Sequence, residues 1–352
     1  MTGHEHYMHR CLQLAALGAG QVAPNPMVGA VIVHDGRIIG EGYHQRHGAP
    51  HAEVNAVRSV KPEDREFLRS STIYVSLEPC AHHGKTPPCV DLILSQGIPR
   101  VVVGCRDPFP AVNGRGIERL LAQGVDVTCG VLEQECEDLN RRFFTFHRQH
   151  RPWIILKWAQ TADGMIGRAG ERLKITGAGS DRLVHRWRSE EMAIMVGTRT
   201  AVNDDPELTT RLWPGKDALR VVLDLNGRLP ITLRMFTDGK PTLVLRHGPD
   251  ETNGPVRYRH VDPSDNLLKE VDRILYDEGI QSVIVEGGSR LLNTYLAANA
   301  WDEIRRFVSK KTIGREGVPA PHMPAAESVI EHSLGEDALS TIIRGSAHSP
   351  IL

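Results

Sequence analysis

Four residues in the first part of the chain have the types and spacing of a metal-assisted hydrolytic site. His51 and Glu53 are separated by one residue, and Cys80 and Cys89 follow further along. One imidazole and two thiolates suit a tetrahedral Zn²⁺ site with a fourth position open for water. Zinc lowers the pKa of a bound water toward about 7. Glu53 can carry a proton between this water and a leaving amine. The pattern predicts His51, Cys80 and Cys89 as zinc ligands and Glu53 as a catalytic residue.

The spacing of the two cysteines differs from the common zinc-deaminase signature. That signature, His-x-Glu followed by Pro-Cys and a second cysteine, belongs to enzymes that attack a ring carbon bearing an exocyclic amine, and two residues separate its cysteines. Here eight residues lie between Cys80 and Cys89. Cys89 starts a predicted helix, where the positive end of the helix dipole favours a thiolate. The longer loop therefore still permits both cysteines to bind one metal.

Other polar side chains are candidates for the surroundings of this site. Asn25 precedes the first predicted strand and is expected to face the zinc, where its amide can donate to and accept from a pyrimidine edge; the alternative is a turn asparagine. His82 and His83 follow Cys80 and are either an extra ligand or part of the pocket wall. His44 and His47 are predicted to lie on a surface loop, with substrate contact as the alternative.

The second half of the chain lacks a Rossmann dinucleotide fingerprint. Gly177-Ala178-Gly179 comes nearest, but Arg182 stands where the third glycine should be. A buried strand ending at Val285 is instead followed by Gly287-Gly288 and a predicted helix. Glycines let the backbone approach a phosphate, and a helix N-terminus supplies oriented N–H groups. Three arginines add charge suited to phosphate, or are solvated surface residues: Arg188, Arg199 and Arg211.

The elements that must position these residues alternate between strand and helix. In the first half, strands are predicted at 28–33, 38–42, 72–77, 100–104 and 125–129, and helices at 6–19, 51–60, 90–96 and 116–123. In the second half, strands are predicted at 153–158, 192–196, 220–225, 242–246, 282–285, 303–308 and 341–344, and helices at 180–190 and 289–299. The alternation predicts a layered α/β first domain with a largely parallel sheet. The polar stretch 140–152 is predicted to be a helix end and a linker.

Composition limits the possible functions. The chain has 352 residues, a length that fits two or three domains. Its net charge of −1 argues against a nucleic-acid partner. No apolar run is long enough to span a membrane, and the N-terminus lacks a secretion signal. All six cysteines precede residue 140, as expected of metal ligands and core residues in a reducing compartment. We therefore expect a soluble, cytoplasmic protein.

Three motifs make the chain resemble a known family. Pro24-Asn25-Pro26-x-Val28-Gly29, His51-Ala52-Glu53 and the segment from Glu78 to Cys89 resemble the bifunctional riboflavin-biosynthesis deaminase/reductases of bacteria. The Cys80–Cys89 loop is the specific part, because general cytidine and tRNA adenosine deaminases have Cys-x-x-Cys. The resemblance covers essentially the whole chain and weakens after about residue 305. It implies an α/β fold, with a cytidine-deaminase-like three-layer domain over 1–147 and a dihydrofolate-reductase-like domain over 148–352.

The resemblance also implies site residues in the second domain. The segments 156–164, 197–211 and 286–288 are similar to the reductase domain of the family, which uses NADPH. The cofactor contacts that it implies are Ala159, Thr200, Asp204, Gly288, Ser289, Arg290, Leu291, Leu292, Asn293 and Thr294. The substrate contacts that it implies are Arg188, Leu208, Arg211 and Glu286, with the arginines at the ribose phosphate, and Lys157 at the sugar that is reduced.

Two positions depart from the family pattern. The family has a tryptophan beside the cofactor, and a small polar residue two positions earlier. Lys174 stands at the tryptophan position here and is predicted to pair with a cofactor phosphate instead of stacking. Arg172 stands at the polar position on the substrate side.

The implied function has two steps. The first domain would hydrolyse the 2-amino group of a phosphorylated diaminopyrimidinone ribosylamine with Zn²⁺, and the second would reduce its ribosyl chain to ribityl with NADPH. One alternative is a deaminase whose second domain has lost or changed its reductase activity. Another is a structural zinc module on an oligomerisation domain. The protein is expected to form a homodimer or tetramer through the second domain and to bind neither nucleic acid nor membrane.

Overall fold

The computed structural model describes residues 3–82, 87–110, 112–168, 170–171, 173–262, 266–314, 316–326 and 328–345. The chain forms two compact units, one ending at Gln149 and the other beginning at His150. No helix among these described residues is both long and apolar enough to span a bilayer.

The first unit contains one five-stranded sheet. Its strands are β1 (Gly29–His34), β2 (Arg37–Tyr43), β3 (Thr72–Leu77), β4 (Arg100–Cys105) and β5 (Asp126–Cys129). Its helices are α1 (Gly3–Ala16), α2 (Ala52–Ser59), α3 (Cys89–Ser95), α4 (Arg115–Ala122), α5 (Glu133–Leu139) and α6 (Arg141–Gln149), with a 3₁₀ helix at Pro62–Ser70. The strand order is β2-β1-β3-β4-β5.

The direction of the strands corrects one prediction. β1 is antiparallel to both β2 and β3, whereas β3, β4 and β5 run parallel. The β1–β2 hairpin turns at Asp35 and Gly36, which have φ of 45° and 77° and so favour a tight turn. The sheet is therefore mixed and not largely parallel.

Helices cover both faces of this sheet. Because side chains alternate along a strand, Ile32 and Val101 pack with the helices α2, α3 and α4 on one face. Val31 and Val102 point to the other face and pack against α1 and α6. This arrangement is the three-layer fold that the family resemblance implies.

The second unit is built on a ten-stranded sheet. Its strands are β6 (Trp153–Gln160), β8 (Ala193–Gly197), β9 (Leu219–Leu223), β10 (Thr242–Arg246), β11 (Glu251–Asn253), β12 (Val256–His260), β13 (Ser282–Val285), β14 (Glu303–Ser309), β16 (Ile330–Leu334) and β17 (Asp337–Ile343), with a separate pair β7 (Met165–Arg168) and β15 (Gly317–Pro319). Its helices are α7 (Ala178–Glu190), α8 (Thr198–Asp204), α9 (Arg234–Thr237), α10 (Leu267–Asp277) and α11 (Ser289–Ala297).

The middle of this sheet is parallel. The strand order is β11-β12-β10-β9-β8-β13-β6-β14-β17-β16, and the strands from β12 to β14 run in one direction. Their buried side chains form a core on each face, one packed against α10 and α11 and the other against α7. The carboxyl ends of β8, β13 and β6 therefore lie side by side, where open α/β sheets bind their ligands.

The boundary region between the units differs from its prediction. The stretch 140–152 was predicted as a helix end and linker, but Arg141–Gln149 is the helix α6. Phe143 and Phe144 are buried in the core of the first unit, so this polar-looking segment has an apolar face.

Candidate zinc and cofactor sites

Three predicted metal ligands meet in the first unit. His51 Nδ1 lies 3.6 Å from Cys80 Sγ and 3.3 Å from Cys89 Sγ. All three donor atoms lie within 4.8 Å of one another. Zinc–ligand bonds of about 2.0–2.3 Å at tetrahedral angles place donor atoms roughly 3.6 Å apart. The spacing and chemistry of these donors therefore fit one Zn²⁺ ion.

Each ligand comes from the end of a secondary-structure element. His51 is the N-cap residue of α2, Cys80 follows β3, and Cys89 is the first residue of α3. The backbone N–H of Cys89 donates to Cys80 Sγ over 3.4 Å. The hydrogen bond from the Cys89 thiol lowers the pKa of Cys80 to about 4, with a smaller contribution from His51. Cys80 is thus a thiolate near neutral pH.

Glu78 holds the turn that carries Cys80. Its buried carboxylate accepts from the backbone N–H groups of Gly114 and Gly116, each over 2.9 Å, at the start of α4. A Cβ on Gly116 would lie 2.0 Å from the carbonyl oxygen of Pro79, so only glycine permits this approach. The turn is therefore fixed against α4 from both sides. The sequence motif includes Glu78, but it does not predict these hydrogen bonds to α4.

Glu53 lies in the first turn of α2 and is 3% exposed. Burial raises the pKa of its carboxyl group, and the neighbouring Cys80 raises it further. The carboxyl group is also within hydrogen-bonding reach of the Cys89 thiol. A buried acid next to the ligand cluster can take up and release a proton at the reacting atoms.

His44 corrects a prediction, because it is buried and not on the surface. Its Nδ1 is 3.1 Å from the Pro50 carbonyl, and its Nε2 is 3.1 Å from the amide nitrogen of Asn25. Since a carbonyl only accepts, Nδ1 carries the proton and Nε2 accepts from Asn25. The His44 ring packs edge-on against His51 at 5.4 Å between centroids. His44 therefore links Asn25 to the zinc ligands and leaves the Asn25 carbonyl oxygen available; His47 is exposed, as predicted.

Two further residues lie close to this cluster. Asp107 is 8% exposed, and burial raises the pKa of its carboxyl group to about 7, with Glu78 and Cys80 adding to the increase. The backbone N–H of Phe109 donates to this carboxyl group over 2.8 Å. His82 is exposed and packs at 6.3 Å from the Phe109 ring; it is outside the ligand cluster. His83 lies outside the described residues.

The second site begins at the carboxyl end of β13. Gly287 has a φ of 125°, and its carbonyl accepts from the Gly197 N–H over 3.0 Å, which joins the ends of β13 and β8. A Cβ on Gly288 would lie 2.9 Å from Thr200 Oγ1. α11 begins one residue later, with its free N–H groups at this turn. The bare backbone and the helix end fit the phosphate groups of NADPH.

Predicted cofactor residues occupy this edge in different ways. Thr200 and Asp204 lie on α8, directly after β8, and Ala159 lies near the end of β6. Ser289 Oγ donates to the Pro319 carbonyl, and Thr294 Oγ1 donates to the Arg290 carbonyl. Asn293 and Arg290 are exposed, whereas Leu291 and Leu292 are buried in the core. The leucines therefore support the turn through packing, and only their backbone is available to a ligand.

A buried charge group lies beside the turn. Glu286 accepts two hydrogen bonds from Arg188, of 2.8 and 2.7 Å, and its carboxylate is 3.8 Å from Lys157 Nζ. Burial would raise the pKa of Glu286, but Arg188 and Lys157 lower it to about 2. Burial also lowers the pKa of Lys157, against the pull of Glu286. The three predicted substrate residues are thus one preassembled ionic group.

The remaining predicted substrate residues lie on one loop. Arg188 Nη1 donates to the Thr209 carbonyl over 3.4 Å, and Arg211 Nη1 donates to Thr209 Oγ1 over 2.7 Å. Leu208 is 3% exposed in the core, with a φ of 53°. The Arg211 guanidinium is half exposed and also pairs with Glu207. The structure therefore brings Arg211 to the edge of the ionic group, with its charge toward solvent.

Lys174 is exposed and forms a 2.9 Å ion pair with Asp181 on α7. Asp181 in turn raises the pKa values of Lys157 and Arg188 through its charge. Asp181 therefore links Lys174 electrostatically to the ionic group described above. Arg172 lies outside the described residues.

Comparison with known proteins covers both units. A family model described as the cytidine and deoxycytidylate deaminase zinc-binding region matches residues 1–105, and one described as the RibD C-terminal domain matches residues 152–329. A riboflavin biosynthesis protein RibD of Aquifex aeolicus is 39% identical over 316 residues, which are 88% of each chain. That of Escherichia coli is 36% identical over 347 residues, 93% of each.

Solved structures agree with these relatives. A diaminohydroxyphosphoribosylaminopyrimidine deaminase/5-amino-6-(5-phosphoribosylamino)uracil reductase from Thermotoga maritima is 37% identical, with a TM-score of 0.86, over 97% of this chain and 98% of that chain. A RibD structure from Acinetobacter baumannii is 31% identical, with a TM-score of 0.85 over the same shares of the two chains.

Proposed function

The chain belongs to the RibD family of riboflavin biosynthesis proteins, and from this premise we propose which of its residues carry out each of two reactions. The family membership and fold class predicted from the motifs are confirmed. The chain is a bifunctional enzyme, a zinc-dependent deaminase and an NADPH-dependent reductase, and the alternative of a lost or changed reductase is not favoured. The observation that carries this conclusion is the ligand cluster beside buried Glu53, in a chain that also has the glycine turn beside Glu286.

We assign deamination of the diaminopyrimidine substrate to the unit that ends at Gln149. Zinc would be held by His51, Cys80 and Cys89 and would supply an acidified water, whose oxygen replaces the 2-amino group on the ring carbon. Glu53 would carry one proton of that water to the adjacent ring nitrogen and the other to the 2-amino group, which leaves as ammonia. The Asn25 amide, held by His44, orients the pyrimidine edge through its free carbonyl oxygen.

We assign reduction of the phosphoribosylamino chain to the unit that begins at His150. The turn of Gly287 and Gly288 and the start of α11 hold the phosphates of NADPH, and Ala159, Thr200 and Asp204 line the remainder of the cofactor site. NADPH supplies the hydride. Lys157, beside Glu286, is assigned to the sugar: hydride adds to the anomeric carbon, the bond from this carbon to the ring oxygen breaks, and Lys157 can donate a proton to the released oxygen.

Arg188 and Arg211 have different proposed roles. Arg188 is locked to Glu286 by two hydrogen bonds, so it holds the ionic group in place and presents only its remaining N–H bonds to a ligand. Arg211 is half exposed and offers a guanidinium fork to the substrate phosphate. Leu208 packs beneath this loop, and Arg172 is assigned to the substrate side on family resemblance alone. Lys174, near the Asp181 carboxylate, is assigned to a cofactor phosphate.

We also propose a cytoplasmic location and a homo-oligomeric state, a dimer or a tetramer. Zinc thiolates and four further free cysteines suit a reducing compartment. The second unit exposes Leu212, Trp213 and Ile231, which are candidates for a contact between subunits. Light scattering after size-exclusion chromatography would measure the mass and decide between a monomer and an oligomer.

A coupled assay tests the proposed function directly. Zinc-loaded protein is given the diaminopyrimidinone ribosylamino phosphate and NADPH, and ammonia release and NADPH absorbance are followed together. We expect ammonia first and NADPH oxidation after it. Ammonia without NADPH oxidation would remove the reductase assignment, and a folded, zinc-bound protein that releases no ammonia would contradict the substrate.

A further inference from the structure

His185 is a buried histidine that the two reactions above do not use. It lies on α7, three residues before Arg188, and is 6% exposed. Its Nδ1 is 2.9 Å from the backbone nitrogen of Arg211, which is an N–H donor. The imidazole must therefore accept through Nδ1 and carry its proton on Nε2.

This hydrogen bond helps to tie α7 to the loop of Leu208 and Arg211. Another runs from Arg188 Nη1 to the Thr209 carbonyl. The Arg211 side chain itself is turned outward, toward Glu207 and Thr209. The backbone of Arg211 is thus fixed by His185, while its half-exposed guanidinium pairs with Glu207 and Thr209 and would exchange these partners for a ligand.

We propose that His185 is a positioning residue for the reductase substrate, because its neutral imidazole fixes the backbone from which Arg211 reaches the substrate phosphate. This inference rests on the proposed role of Arg211 in binding. A guanidinium on a fixed backbone loses less conformational freedom on binding than one on a loose loop. His185 therefore acts on substrate affinity and leaves hydride transfer unchanged.

The same geometry makes substrate affinity depend on pH. Protonation of Nδ1 would remove the acceptor and place a positive charge among the groups that face the ring, which are Asp181 and Arg188 on α7, Arg211 on the loop and Glu286 at the end of β13. Burial lowers the pKa of His185, and the two arginines lower it further, so the neutral form is favoured near neutral pH. Substrate affinity should fall when the solution becomes acidic enough to protonate His185.

Two isosteric substitutions separate this role from simple packing. His185→Asn places an amide oxygen near the position of Nδ1 and keeps the acceptor, whereas His185→Gln places its amide near Nε2 and loses it. We expect His185→Gln to raise the KM for the uracil substrate about tenfold, with kcat and the KM for NADPH unchanged. His185→Asn should stay within about twofold of the wild type.

Thermal unfolding followed by tryptophan fluorescence, together with an unchanged KM for NADPH, shows that the second unit of each variant is folded. A binding measurement that needs no turnover accompanies the kinetics, with ribose 5-phosphate as the probe and tryptophan fluorescence as the signal, since all five tryptophans follow residue 150. Weaker binding by the Gln variant, normal binding by the Asn variant, and a KM that rises at low pH in the wild type more than in the Asn variant would support the proposal. The phosphate of the substrate titrates equally in both comparisons.

Equal behaviour of the two variants, or a loss of kcat, would overturn the proposal. If the wild type binds ribose 5-phosphate but oxidises no NADPH, the proposed reductase function fails, and the binding data still decide the role of His185. If both variants lose their fold, the pH dependence of sulfate binding by the wild type decides it, because sulfate does not titrate in this range, and a flat profile would reject the inference.

Discussion

Two buried glutamates, Glu53 in the first unit and Glu286 in the second, have opposite surroundings. Both are almost inaccessible to water, but Glu53 has thiols as neighbours and Glu286 has Arg188 and Lys157. Burial therefore raises the pKa of Glu53, while the two cations lower that of Glu286 to about 2. The glutamate to which we assign proton exchange is thus flanked by thiols, and the one to which we assign a fixed charge is held by an arginine and a lysine.

The largest effect is expected for Glu53→Gln. The amide keeps the shape of the side chain but cannot carry the proton, so ammonia release should fall about 10³-fold. Zinc content, measured by atomic emission, should not change, because the three ligands are intact. NADPH oxidation with the uracil substrate should also be normal in the same chain. Retained deamination would show that Glu53 is a structural residue and would end the contrast with Glu286.

Glu286→Gln tests the other side of the comparison. Removal of the charge leaves Arg188 and Lys157 without the carboxylate that they share, so reductase kcat/KM should fall about 100-fold and the second unit should be destabilised by about 3 kcal/mol. Glu207→Gln is the matched control, since Glu207 pairs with Arg211 at the half-exposed rim. Its effect should be less than about threefold. Equal effects of the two substitutions would contradict the importance of burial.

Asp272 is a third carboxyl group to compare with Glu53 and Glu286. Burial raises its pKa to about 7, and the charge of Arg151 offsets this increase only in part. A raised pKa contributes stability below about pH 4, where the unfolded acid is also protonated, and this contribution is lost as the pH rises through 7. Asp272→Asn should therefore stabilise the protein by roughly 2 kcal/mol more at pH 8 than at pH 5.

Denaturant unfolding of the second unit at both pH values measures this difference. Asp277→Asn, an exposed position of the same helix α10, is the control, and its effect should not vary with pH by more than about 0.5 kcal/mol. A pH-independent effect of Asp272→Asn would show that its carboxyl group is ionised in the folded protein.

The smallest effect is expected for Lys174→Ala. Lys174 is 69% exposed, and exposed ion pairs contribute at most about 1 kcal/mol, so the KM for NADPH should rise only about two- to threefold. Lys310→Ala, which removes another exposed lysine from the second unit, should change nothing. An unchanged KM for Lys174→Ala would separate Lys174 from the cofactor site.

The zinc site was more accessible to sequence reasoning than the reductase site. A metal ion requires particular donor types at a short distance, so His51, Cys80 and Cys89 could be identified from residue type and spacing alone. Their supporting residues could not, because Glu78 accepts from backbone N–H groups far along the chain, at Gly114 and Gly116, and His44 bonds to the side chain of Asn25. His44 looked like a loop histidine, since nothing near it in the sequence indicates burial.

The reductase site depends on the order of strands in the sheet. Lys157 and Glu286 meet because β6 and β13 are parallel neighbours, which local patterns do not reveal. Resemblance to the family supplied these residues, and it did not include His185. The helix α10 was missed although Leu268, Val271 and Leu275 have helical spacing and Asn266 caps its first turn. These signals are local, so this helix is predictable from the sequence alone.

The adjacency of Glu286 to Gly287 and Gly288 has a consequence for inhibitor design. Glu286, which we assign to the substrate pocket, is followed directly by the Gly287-Gly288 backbone, which we assign to the cofactor, so the two proposed binding groups are adjacent in the chain. A compound with an anion for the helix end, joined by a few atoms to a polyhydroxy group for Lys157, would occupy both pockets at once. Linking makes the second contact intramolecular and adds its affinity to the first. Resistance substitutions in this turn would impair both substrate and cofactor binding in the enzyme itself.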